Sequence, residues 1–328
     1  MKLNKSIIIL IIVVIIAVLV YIFSNPNGTL GIGNNSFAIE NIEDINQIKI
    51  SRGENTVSLE KLDENWMVNA SYHVNKRTLV TFLEVLSRID ILTPTSKAEK
   101  QTIVSKLKQD GILVEIYKNK RIRKKYYIST PNISSIKTYM IMYKSSEPYI
   151  VHIPGHNTFI ASWFIADEHF WRDKTVFNFS PQDIQQIQVN YPYSENKSFT
   201  INTSTGEFKL SDYAKNNIDD FDPEKISRYL TYFNGITFEQ FATGISIELK
   251  DSILETSPLV SISVQSFSGL ETNLKIYRKP ADTKTDEFGQ PIEFDVNKAY
   301  GILNDSKEFI LIQYYIFDPI FKEIDYFR

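Results

Sequence analysis

The 328 residues are 43% hydrophobic and 23% charged, with 12 Gly and 12 Pro, a balance that excludes collagen-like, low-complexity and wholly disordered chains. A net charge of −3, from 39 acidic and 36 basic residues, leaves no overall basic footprint for nucleic acid, so no such partner is expected. The absence of cysteine removes disulfide frameworks, thiolate zinc sites, iron–sulfur clusters and cysteine nucleophiles together.

Behind Lys2 and Lys5, Ile7 to Phe23 is an unbroken apolar run of 17 residues. As a helix it would be about 25 Å long, enough to cross a hydrocarbon core. A cleaved signal peptide has a shorter apolar region, about 7–15 residues, and a small-x-small cleavage site. Here the run leads into Ser24-Asn25-Pro26-Asn27-Gly28 instead. Residues 1–23 are therefore expected to be a retained signal anchor, with the lipid bilayer as partner through residues 7–23. Lys2 and Lys5 hold the amino terminus in the cytoplasm by the positive-inside rule, which makes residues 24–328 extracytoplasmic. Residues 24–36, rich in Gly, Asn and Ser, form a flexible linker.

Beyond the linker the pattern occurs twice. Asp44, Ile45, Ile48 and Ile50 recur as Asp183, Ile184, Ile187 and Val189 at a shift of 139. Val57, Leu59, Trp66 and Val68 recur as Phe199, Ile201, Phe208 and Leu210 at a shift of 142. Both sets alternate apolar with polar, the period of a half-buried strand. Leu79, Phe82, Leu83 and Leu86 make one helical stripe, matched by Ile226, Tyr229, Leu230 and Phe233 at a shift of 147. Asn75 and Asp222 stand before the two stripes as N-caps, and Pro223 suits a first helical position. Tyr139 and Glu147 match Tyr300 and Glu308 at a shift of 161, so insertions separate conserved elements.

The first copy adds a second helix over Ser96–Gln109, ended by Gly111, and a strand pair around an Asn119-Lys120 turn. Strands over Thr138–Met142 and Tyr149–Ile153 follow. The expected fold class is α+β: two tandem copies of a mainly antiparallel sheet unit with one or two packed helices, after the transmembrane helix. The expected units are residues 37–176 and 177–328. The first carries 20 Lys and Arg against 16 Asp and Glu, and the second 14 against 23. A basic unit next to the bilayer, presenting an acidic unit outward, is the arrangement this asymmetry predicts.

Trp66-Met67-Val68-Asn69, Val114-Glu115-Ile116-Tyr117, Val151-His152-Ile153-Pro154-Gly155 and Trp171-Arg172-Asp173-Lys174-Thr175-Val176-Phe177 together resemble an uncharacterised bacterial domain-of-unknown-function family. The resemblance implies anchoring by one amino-terminal helix, and a similar domain occurs in the auxiliary membrane subunit of gliding-motility-type ABC transporters. It brings no catalytic residues. With the leader's lysines, the expected location is the bacterial inner membrane, as a single-pass protein with a periplasmic body.

Six cations, Lys118, Lys120, Arg121, Arg123, Lys124 and Lys125, surround the one hairpin and could meet anionic headgroups, each worth about 1 kcal/mol close to the surface. The bland alternative is a solvated edge that resists aggregation. His152, His156 and His169, with Asp167 nearby, have the donor types of a zinc or manganese site, which would make the chain a metal-dependent hydrolase. Pro154-Gly155 interrupts any helical pairing of the first two, so surface histidines are the favoured reading. Trp171-Arg172-Asp173 reads as structural, with Trp in the core and Arg on a carboxylate. An envelope-glycan binder would need exposed coplanar aromatics, whereas most rings here sit at alternating strand positions. The leading expectation is a non-enzymatic, membrane-anchored interaction or scaffold module with an envelope protein partner, and no cofactor.

Overall fold

The computed structural model describes residues 36–156, 159–203, 206–283, 285 and 288–328. The predicted anchor (1–23) and nearly all of the linker lie outside them. Among the described residues no helix is long and apolar enough to cross a membrane. The chain divides into two compact units, the first ending at Glu168 and the second running His169–Arg328. The second unit thus includes residues upstream of the repeat that starts at 177, because Thr175–Phe177 pairs with Ile236–Thr237.

In the first unit, β1 (Gln47–Arg52), β2 (Asn55–Leu62), β3 (Asn65–Val68) and β4 (Tyr72–His73) form a meander. Helix α1 (Lys76–Arg88), β5 (Asp90–Pro94) and α2 (Lys97–Asp110) follow. A second meander comprises β6 (Ile112–Lys118), β7 (Arg121–Ile128), β8 (Thr138–Met142) and β9 (Tyr149–His152). These nine strands form one sheet in the order β4-β3-β2-β1-β6-β7-β8-β9-β5, every pair antiparallel.

The second unit repeats the plan. After β10 (Thr175–Phe177) come β11 (Ile184–Asn190), β12 (Phe199–Asn202), β13 (Lys209–Asp212) and β14 (Asn217–Ile218). Helix α3 (Pro223–Thr231), β15 (Ile236–Thr237), β16 (Gln240–Phe241) and α4 (Ile247–Leu254) lead to β17 (Val260–Ser266), β18 (Glu271–Pro280), β19 (Phe294–Leu303) and β20 (Phe309–Gln313). The sheet order is β14-β13-β12-β11-β17-β18-β19-β20-β16, the first unit's order strand for strand. The protein is α+β, two tandem copies of one antiparallel topology.

Register pairs support the duplication residue by residue. Ile48 faces Leu59 and Ile50 faces Val57; Ile187 faces Ile201 and Val189 faces Phe199. All eight side chains are at most 1% exposed, as alternation with one face on a core requires. The helix over that face starts where the caps predict. Asn75 Oδ1 accepts from the Thr78 amide at 3.0 Å, and Asp222 Oδ1 from the Glu224 amide at 2.9 Å. Helix α1 buries Leu79, Phe82, Val85 and Leu86, so Val85 joins the stripe while Leu83 is only half-buried. Helix α3 buries Ile226, Tyr229 and Leu230. The amide of Ile39 donates to the Leu86 carbonyl at 3.0 Å, and that of Phe179 to Phe233 at 2.9 Å, one bond in two copies.

The opposite face of each sheet takes the other helix. Helix α2 lays Ile103 and Leu107 on Tyr139 and Ile141 of β8. Covered on both sides, β8 is a continuous apolar run rather than an alternating one. Helix α4 sets Ile253 among Tyr277, Tyr300, Ile302, Phe309 and Leu311. Ser96 caps α2: its Oγ accepts from the Glu99 amide at 3.4 Å and donates to the Glu99 carboxylate at 2.9 Å.

Candidate functional site: a basic hairpin in the first unit

The β6–β7 hairpin closes through Asn119 and Lys120, both with positive φ (+49° and +65°), the two-residue turn whose twist matches the flanking strands. The Asn119 amide donates to Asn46 Oδ1 at 3.1 Å and ties the turn to the start of β1. Strand β7 starts at Arg121, earlier than its apolar residues alone suggest. The register slips between Ile116, opposite Lys124, and Tyr117, opposite Ile122, so Arg123 is the extra residue of a bulge.

The six predicted cations separate into two groups. Lys118 pairs with Asp44 at 2.5 Å, and Lys125 with Glu115 at 2.8 Å while lying 4.1 Å over the Tyr143 ring. The hydrogen bond to Glu115 raises the Lys125 ammonium above the usual lysine range. Lys124 is half-buried and donates its Nζ hydrogen to the Ser36 carbonyl; burial pulls its pKa down, opposed by Glu40. These three cations are structural. Lys120, Arg121 and Arg123 are exposed, with no ion pair among the described residues. They flank Ile122, whose side chain is 51% exposed. An exposed aliphatic side chain among three cations at a turn is chemically suited to an anionic, partly apolar surface. Sequence reasoning missed the acids that neutralise the hairpin's base, since Asp44 lies on a different strand connection; only the pairing of β1 with β6 brings it to Lys118.

The histidines fall elsewhere. His152 ends β9 opposite Asp90, and His156 is exposed after a turn in which its amide donates to the Ile153 carbonyl at 3.0 Å. Asp167 precedes Glu168, whose carboxylate accepts from Asn69 Nδ2 at 2.7 Å. His169 belongs to the second unit, with Nε2 3.4 Å from Glu308 Oε1 and its ring 4.9 Å from Phe241. Among the described residues, no three His, Asp or Glu side chains form a group that could hold a metal ion.

Arg172 makes a bidentate pair with Glu308, at 2.7 Å and 2.6 Å, and lies 4.1 Å over the Phe241 ring. The guanidinium holds the Glu308 carboxyl below its usual range. With Arg172 only 8% exposed and Trp171 fully buried, this trio fastens the start of the second unit to the β19–β20 turn. Glu147, the counterpart of Glu308, pairs with Lys100 instead.

Residues 106–259 match the family described as Domain of unknown function (DUF4340). The matched stretch starts inside α2 and stops just before β17, so it covers the later part of one unit and the earlier part of the next. It agrees with the resemblance at the level of an uncharacterised domain family. No curated protein and no solved structure matches the chain.

Proposed function

We propose that the chain is a non-enzymatic interaction module on the extracytoplasmic side of the bacterial inner membrane, tethered by residues 7–23, whose first unit rests on the bilayer through the Lys120–Arg123 turn. One observation carries this reading: the hairpin whose three tip cations have no ion pair among the described residues also holds, through Lys124, the carbonyl of Ser36, where the linker ends. A Gly-, Asn- and Ser-rich linker of 13 residues would have a root-mean-square span of about 20 Å. A charge at the end of such a linker repeatedly enters the roughly 8 Å layer in which a surface potential acts at physiological salt. Three cations at about 1 kcal/mol each would orient the body without holding it to the membrane alone, a task left to the anchor. A body oriented in this way leaves its remaining surface for an envelope protein partner.

The test uses the full chain in vesicles of neutral lipid and of mixed neutral and anionic lipid, with hydrogen exchange followed at residues 118–125. Slower exchange in anionic vesicles, abolished by high salt and by the K120A/R121A/R123A variant, is expected. Identical exchange in both lipids would overturn the surface contact. A reporter that works only outside the cytoplasm, fused after Arg328, should be active; an inactive reporter on a stable fusion would overturn the topology.

A further inference from the structure

The two copies diverge where the second helix leads into the sheet, and there the second unit has a cavity. In the first unit α2 runs to Asp110, and Gly111 alone joins it to β6. In the second, α4 stops at Leu254, and five residues, Glu255 to Leu259, precede β17. The sheet beneath has grown in the opposite sense. Ile276 of β18 occupies the place of Ile128, where β7 ends, yet β18 continues to Pro280, which pairs with Phe294 of a lengthened β19. A shortened cover over an extended ribbon leaves a cavity of about 470 Å³ walled by Leu249, Ile253, Leu259, Pro280 and Phe294, with Arg278 among its lining.

Arg278 replaces a neutral residue, since the matching position in the first unit is Thr130. Its guanidinium lies 5.0 Å over the Phe294 ring and has no carboxylate in ion-pair range among the described residues. Asp282 and Asp295 are both held by buried Lys279, at 2.7 Å and 3.1 Å. The wall is fixed in advance: the Tyr193 hydroxyl donates to the Ser257 carbonyl at 3.0 Å and pins the turn that ends α4. A cavity of this size with mostly apolar walls and one charged group is how proteins bind small molecules, the charge setting ligand orientation.

We propose that this cavity binds a small anionic amphiphile: an acyl or aryl body seated on the apolar wall, with a carboxylate on the Arg278 guanidinium. Arginine presents a planar fork that suits a carboxylate, and the ring beneath it leaves that fork's edge free for an oxyanion. The inference rests on the second unit alone and stands whether or not the first unit touches lipid.

The experiment titrates the full chain in neutral nanodiscs by calorimetry with 4-phenylbutyrate, with the uncharged 4-phenylbutan-1-ol and with acetate, using empty nanodiscs as the blank. Saturable one-to-one binding of the carboxylate is expected, at least about tenfold tighter than the alcohol, with no binding of acetate. Arg278→Gln should erase the difference between acid and alcohol. Leu249→Trp, which fills the cavity, should remove binding of both. Because Arg278 is exposed, R278Q should keep the parent's hydrogen-exchange protection, which separates lost binding from lost fold even if L249W misfolds. Equal affinity of R278Q and parent for the carboxylate, or no saturable binding by the folded parent, would overturn the proposal.

Discussion

The two units share a strand order, a capped helix on one face and a bond from the leading segment to that helix, yet they spend their variable residues differently. The first places cations on a tight hairpin, and its second helix covers the sheet up to the next strand. The second shortens that helix, lengthens two strands and is acidic. The lesson is that the shared core, Ile48/Ile50 with Leu59/Val57 and Ile187/Val189 with Ile201/Phe199, sets the topology, while differences outside it carry whatever distinguishes the copies.

The most severe challenge to this equivalence is removal of the helical residue at its centre. Phe82 packs edge-on against Phe164 with ring centres 5.2 Å apart, and Tyr229 does the same with Phe327 at 5.2 Å. Phe82→Ala and Tyr229→Ala should each cost about 3–5 kcal/mol. Native-state hydrogen exchange should show the loss within the sheet of the mutated unit. Loss spread evenly over both sheets after either substitution would break the picture of two separate cores.

A smaller effect sharpens the difference at the second helix. A Cβ on Gly111 would stand 2.2 Å from the Leu107 carbonyl oxygen and 3.1 Å from that of Ile128, both backbone atoms that cannot step aside cheaply. Gly111→Ala should destabilise the first unit by about 1–3 kcal/mol in denaturant unfolding. Leu259, its counterpart beside the cavity, should tolerate alanine with a smaller change. A cost at Leu259 equal to that at Gly111 would mean the second unit is packed as closely as the first.

The smallest effect concerns two phenols. Both are fully buried, which pushes their pKa values far above the usual tyrosine range and keeps them as donors. The Tyr229 hydroxyl donates to the Ile320 carbonyl at 2.8 Å, whereas the Tyr126 hydroxyl has no partner among the described residues. Tyr229→Phe should lose about 0.5–1.5 kcal/mol, and Tyr126→Phe should be neutral or slightly stabilising. Thermal unfolding of the two variants distinguishes them; a loss in Y126F as large as in Y229F would mean that Tyr126 has a bound partner.

Periodicity made the core legible. The shifts of 139, 142 and 161 between copies coincide with strand partners, because alternating burial writes itself into the order of apolar residues. The edges were not legible. Two-residue β4, with both side chains exposed, has no period to detect, and β5 is mostly exposed while pairing with distant β9. For the hairpin, the residue types were visible but their neutralisation was not: Asp44 reaches Lys118 only through the pairing of β1 with β6, and Glu115 stands opposite Lys125 only because the bulge at Arg123 shifts the register. The cavity left no mark in composition, because it arises from a missing helical turn over strands of ordinary sequence.

The position of β5 has a further consequence for biosynthesis. It leaves the ribosome directly after α1, but its partner β9 starts at Tyr149, 59 residues after Asp90. At about 5–20 residues per second, that edge stays open for roughly 3–12 s in each nascent chain. The second copy imposes a somewhat longer delay, since β20 starts at Phe309, 69 residues after Gln240 of β16. A chaperone or translocation partner that shields an open strand would therefore have most to protect while β6 to β9 are being made.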